Sequence, residues 1–117
     1  MTIEEIRKVL EAETLVAAPG ARKEATAAIA SDMLSDVLTF ASPGSLLLTG
    51  CNNPQAVRTA ELADLAAVCY VQGKAPGPES MALARQKRIV LLATPLSLYV
   101  ACSRLAAAGL PASRQNP

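Results

Sequence analysis

Histidine is missing altogether from these 117 residues, and that absence removes a large class of chemistry. Without an imidazole, one chain can hold no histidine base, no Ser-His or Cys-His nucleophile and no histidine metal ligand. Aromatic residues are nearly as scarce: two Tyr, one Phe and no Trp build no stacking platform for nucleic-acid bases. An excess of one charge is lacking too. The formal net charge is +1 with both signs mixed along the chain, so no electrostatic footprint for nucleic acid exists. Three cysteines, Cys51, Cys69 and Cys102, lie far apart with no CxxC pair, which argues against a zinc or iron–sulfur site within one chain. Neither a Walker nor a dinucleotide glycine pattern occurs. The sequence implies no metal and no cofactor.

Membrane and export signals are also wanting. The longest uncharged apolar stretch, Ile89 to Ser103, is interrupted by Thr94-Pro95 and is too short to span a bilayer. Met1-Thr2-Ile3-Glu4-Glu5 carries no basic and apolar leader. The expectation is a cytoplasmic protein with reduced thiols and no membrane partner.

What is present is a recurring alternation. Hydrophobic residues at 51% against 18% charged supply one core, and the length suits one compact domain. Much of that apolar content is alanine, which buries little area, so a second copy would add useful stability. Ser45-Leu46-Leu47-Leu48-Thr49 reads as a buried strand, followed by the polar turn Gly50-Cys51-Asn52-Asn53-Pro54 and a helix. The layout repeats at Ala66–Val71 and Ile89–Ala93, where Thr94-Pro95 opens the last helix. Apolar strands alternating with helices predict a three-layer α/β domain, a small mostly parallel sheet of four to five strands flanked by helices. Thr2 with Glu5 is a capping-box pattern for a first helix over Thr2–Ala12, and Thr14–Ala17 is a short strand. Residues 24–30 are read as a strand, Met33, Leu34, Val37 and Leu38 as one face of a short helix, and Glu79–Lys87 as a helix. The domain is expected over 1–110, with a frayed tail over 111–117.

Right-handed crossovers collect the loops after parallel strands on one edge of a sheet. Gly50, Asn52, Asn53, Gly73, Thr94 and Ser97 should converge there, where helix starts at Pro54 and Pro95 aim free N–H groups at a small anion. The plainer use of Asn53 and Thr94 is to cap their own helices, which is the commoner role of such residues. Asp32 and Asp36 stand one helical turn apart and offer two carboxylates. Acidic residues are favoured in any first helical turn, so this pair needs no catalytic role. Cys51 has no neighbouring base in the sequence and is expected to be an ordinary thiol.

Ser31-Asp32-Met33-Leu34-Ser35-Asp36-Val37-Leu38, Leu46-Leu47-Leu48-Thr49, and Thr94-Pro95-Leu96-Ser97 running to Arg104-Leu105 together resemble a DRTGG domain. The resemblance spans Thr2 to Leu110 and extends to the amino-terminal domain of HPr kinase/phosphorylase and, more distantly, the uridine-nucleotide-binding domain of Mur ligases. It implies a layered α/β domain, commonly dimeric and without catalytic apparatus. Such domains are often fused to CBS pairs, phosphotransacetylase or pyrophosphatase modules, and stand-alone versions occur beside iron-only hydrogenase and other iron–sulfur components. The family's glycine pair falls on Ala27-Ala28, its Asp-Arg on Arg22-Lys23, and a common histidine on Asn53. The kinase's phosphate-binding loop belongs to a separate domain, so kinase activity does not follow.

Two functions fit. The first is a non-catalytic regulatory or accessory domain, a homodimer that binds another protein such as a redox or hydrogenase component. The second is a sensor of a small anionic ligand, a nucleotide or phosphorylated metabolite, at Asp32, Gly50, Asn52, Asn53, Gly73, Thr94 and Ser97. An enzyme built on Asp32 and Asp36 is the least supported, since a lone aspartate pair lacks the ligands that a cation needs.

Overall fold

Three uncharged runs, Ser45–Thr49, Ala67–Tyr70 and Val90–Ala93, become the inner strands of one sheet, and every residue in them is buried. Burial on both faces is why they read as unbroken apolar segments instead of alternating ones. The computed structural model describes residues 1–114. In chain order the elements are α1 (Ile3–Val9), β1 (Glu13–Val16), β2 (Ala27–Ala30), α2 (Leu34–Phe40), β3 (Ser45–Thr49), α3 (Gln55–Leu62), β4 (Ala67–Tyr70), α4 (Pro78–Lys87), β5 (Val90–Ala93) and α5 (Leu98–Ala107). The five strands are ordered β1-β5-β4-β3-β2. β2 through β5 run parallel, whereas β1 joins β5 antiparallel with an irregularity between Thr14 and Val16. This is the three-layer, mostly parallel α/β fold that the alternation predicts.

Because β2, β3, β4 and β5 lie side by side in chain order, right-handed crossovers put α2, α3 and α4 on the same face. Val37, Val57, Ala60 and Ala84 pack there against Leu47, Val68, Tyr70 and Leu91. α1 and α5 cover the other face, where Ile6, Leu10, Ala101 and Leu105 meet Leu46, Leu48, Cys69 and Leu92. Two helices do not span five strands, so β2 is left thinly covered on that side.

Local chemistry explains most boundaries. Thr2 and Glu5 form the reciprocal cap at 3.0 and 3.2 Å. Pro78 starts α4, Arg85 and Lys87 sit at its negative pole, and Arg88 ends it with a left-handed φ of 57°. Three expectations are corrected. The strand expected over 24–30 contracts to Ala27–Ala30. The last helix opens at Leu98, not at Thr94-Pro95, because Ser97 is its cap and accepts from Val100 N at 3.2 Å. The tail expected to fray from residue 111 instead lies against β2 over its first residues: Ala28 N donates to Pro111 O at 2.9 Å and Ser113 N to Ala28 O at 2.7 Å. Residues 115–117 lie outside the described part of the chain. Among the described residues no helix is long and apolar enough to cross a membrane.

Candidate functional site at the carboxyl edge of the sheet

Parallel register aligns the ends of the three inner strands, Thr49 beside Tyr70 and Tyr70 beside Ala93. The loops that follow them therefore stand side by side, as the crossover argument requires. What those loops do with their polar groups decides what the edge can bind.

Asp32 lies outside α2, in the turn that leaves β2, and its Oδ1 accepts from Gly50 N at 2.7 Å and from Thr49 Oγ1 at 3.1 Å. Thr49 Oγ1 in turn accepts from Cys51 N at 3.0 Å. A Cβ placed on Gly50 would stand 3.5 Å from both Asp32 carboxylate oxygens and 3.5 Å from Lys74 Cδ, so Lys74 arches over the same spot. A carboxylate of the chain itself thus occupies the position facing the Gly50 N–H, where an external anion was expected. The Asp32–Asp36 pairing is corrected accordingly: Asp32 turns to β3, while Asp36 stays exposed in the first turn of α2.

The other candidates are also engaged. Asn52 Nδ2 donates to Ala75 O at 3.2 Å, tying the loop after β3 to the loop after β4. Asn53 Oδ1 accepts from Gln55 N at 2.9 Å and serves the start of α3. Gly73, at φ +67°, donates its N–H to Thr94 O at 3.0 Å. Buried Thr94 donates from Oγ1 to Leu10 O at 2.5 Å and accepts from Leu96 N at 3.2 Å, locking β5 to the end of α1. The seven residues therefore form one cluster (Asp32, Gly50 and, through the Lys74–Ala75 loop, Asn52) and one pair (Gly73 and Thr94). Asn53 braces the turn that enters α3, whose cap position is Pro54, and Ser97 caps α5. A hollow of about 260 Å³ beside the pair is lined by Glu11, which Arg104 neutralises at 2.5 Å, and by Glu13, with no cation in its lining.

Two features escaped the sequence. Lys74 is a lone cation in a loop, and nothing in its spacing signals an approach to Gly50. Tyr70, fully buried under α3 and α4, leaves its hydroxyl without a hydrogen-bond partner. Burial pushes its pKa up to about 12, with the nearby Cys51 adding to the rise. Burial also pushes the Cys69 thiol to about 12 and raises that of Cys102. Thiols held protonated are poor nucleophiles. Among the described residues, no group of three acidic or cysteine side chains is placed to hold a metal.

Between β2 and α5 runs an apolar trough of about 230 Å³, walled by Ala28, Ala30, Leu48, Cys102, Ala106 and Ala112. A larger, shallower hollow of about 490 Å³ opens at the amino end of the sheet, where Arg22 and Lys23 join the loop after β1. Arg22 is already paired with Asp64.

The family model for the DRTGG domain matches residues 1–108. No curated protein matches the chain significantly. Among solved structures, the CBS and DRTGG domains of the regulatory region of Clostridium perfringens pyrophosphatase, complexed with its activator diadenosine tetraphosphate, superpose with a TM-score of 0.77 at 20% identity. That match covers 98% of this chain and 51% of the other, so this chain spans about half of its neighbour.

Proposed function

The chain belongs to the DRTGG domain family, and on that premise we propose that it is a non-catalytic regulatory domain that works through protein contacts, as a homodimer docking on a partner protein. One observation carries this reading: at the carboxyl edge every candidate side chain already has a partner inside the chain, whereas several large apolar side chains face solvent. Met33 is 61% exposed, Phe40 54%, Leu62 74% and Tyr99 83%. Exposed apolar side chains, together with a carboxyl edge whose polar groups are satisfied, fit an interaction module better than a catalytic pocket. That the neighbouring structure is a regulatory region supports the same reading. The iron-only hydrogenase or iron–sulfur setting rests on the family resemblance alone.

Sedimentation across micromolar concentrations tests the homodimer. A concentration-dependent dimer that weakens on replacing Leu62 or Tyr99 with Ser supports it, and a strict monomer overturns it.

A second reading, a small-ligand sensor, is favoured by one observation, the Asp32–Gly50–Lys74 cluster where two loops meet. The neighbour was solved with diadenosine tetraphosphate, so that nucleotide is the natural first probe. Binding at a hundredfold excess over Kd would add about 2.7 kcal/mol of stability, readable as a thermal shift. An unchanged melting point with that compound, other nucleotides and phosphorylated metabolites removes this reading.

A further inference from the structure

The two edges of the sheet are protected in different ways. An unpaired strand edge offers a row of N–H and C=O groups to any passing chain, and proteins blunt it with charge, bulges or a cover. β1 carries its own protection: exposed Glu13 at its start and an irregularity between Thr14 and Val16. β2 is Ala27-Ala28-Ile29-Ala30, with no charge, proline or bulge. Its cover is the short segment Pro111-Ala112-Ser113, which runs parallel to it through the bridge of Ala112 to Ala28.

That segment sits as a bound peptide would. Main-chain bonds join it to both the N–H and the C=O of Ala28. Its one functional side chain enters a pocket of hydroxyls: Ser113 Oγ lies 2.7 Å from Ser45 Oγ and 3.0 Å from Ser42 Oγ, and accepts from Ser42 N at 2.8 Å. Ala112 forms part of the trough wall, and no charged residue lines the trough. Main-chain pairing along an edge with a pocket for one side chain is the arrangement by which sheets recruit extended peptides.

We propose that the outer edge of β2, with the Ser42–Ser45 pocket and the adjoining trough, is a strand-addition site for an extended, uncharged partner segment bearing a hydroxyl side chain, and that residues 111–113 are its resident occupant. The occupant seen defines the chemistry of the partner: small residues, parallel direction, Ser or Thr at the pocket. A tether holds the resident at high effective concentration, so it competes with incoming chains and keeps the edge quiet until displaced. This inference rests on the reading of the domain as a partner-binding module.

Hydrogen exchange on the intact chain gives the first test. The amides of Ala28 and Ser113 should exchange at least about a hundredfold faster than that of Leu47, because a strap held by so few bonds opens without global unfolding. Equal protection of Ala28 and Leu47 overturns the proposal. The second test uses the full-length S113P variant, which cannot donate to Ala28 O, titrated with the synthetic peptide Leu-Pro-Ala-Ser, acetylated and amidated so that it carries no charge. Binding that restores Ala28 protection, and that falls about five- to tenfold when the peptide serine becomes valine, is expected. A folded variant that takes up no peptide overturns the site. Should S113P fail to fold, S113A takes its place under the same criteria. Dimerisation in sedimentation with a strap that never opens would sink strand addition alone and leave the homodimer standing.

Discussion

At the carboxyl edge, the groups that could greet a ligand are turned inward: Asp32 to Gly50 and Thr49, Asn52 to Ala75, Thr94 to Leu10. Along the flank between β2 and α5 the lining is apolar, mostly alanine and leucine, and among the described residues a short segment, Pro111-Ala112-Ser113, lies along it. The contrast teaches that a rim rich in helix starts is not thereby a binding site. Polar groups with internal partners hold loops together, and a surface left without partners is the one that can still gain from contact.

The sharpest way to break this contrast is to enlarge the trough. Leu105, 2% exposed, forms both its floor and part of the core. Leu105→Ala should cost about 2–5 kcal/mol in denaturant unfolding, near the lower end because an open trough collapses more easily than a sealed core. Next comes Thr94→Val, which strips Leu10 O of its donor and Leu96 N of its acceptor. A loss of about 1–3 kcal/mol is expected, and a loss below that range would mean that the rim is held by something else.

The alkaline limb of the stability profile probes the sheet between the two regions. Tyr70 and Cys69 have folded pKa values raised to about 12 from ordinary values of 10.0 and 9.0. The unfolded chain therefore releases these protons first and binds fewer of them at high pH. Stability should fall as pH rises through about 9 and keep falling to about 12, with no contribution from this pair at neutral pH. Tyr70→Phe should remove part of that slope while leaving neutral-pH stability unchanged or slightly higher, since it deletes a buried hydroxyl without a partner. The smallest effect belongs to Gly50→Ala. Its new methyl group would meet only ordinary contacts at 3.5 Å, so stability should move by no more than about 0.5 kcal/mol. Nucleotide binding by the parent chain that is lost in this variant would favour the sensor reading over the protein-contact reading.

The order of the two regions in sequence explains why one was legible and the other was not. Inner strands announce themselves, because burial on both faces demands uncharged runs such as Leu46-Leu47-Leu48, and the capping pair Thr2 and Glu5 is a local signal with a local cause. The placement of the three loops on one edge follows from parallel order alone. The partner of Asp32 does not, because its bond to Gly50 depends on the register of β2 against β3, which no short window contains. Its nearness to Asp36 in sequence suggests a pair, yet Asp32 precedes the helix that would align the two. β2 itself is alanine-rich and reads as readily as helix. Pro111-Ala112-Ser113 has the composition of a loose end, and its place comes from partners distant in sequence, the main chain of Ala28 and the hydroxyls of Ser42 and Ser45.

The strand order also sets a timetable for synthesis. β2 and β3 can join as soon as both have left the ribosome, and each later strand adds beside the last. Of the five strands β1 is made first, but among the described residues it is laddered to β5 alone, so it must wait unpaired while most of the domain emerges. Throughout that interval Val16 lacks Leu91, its partner across that ladder.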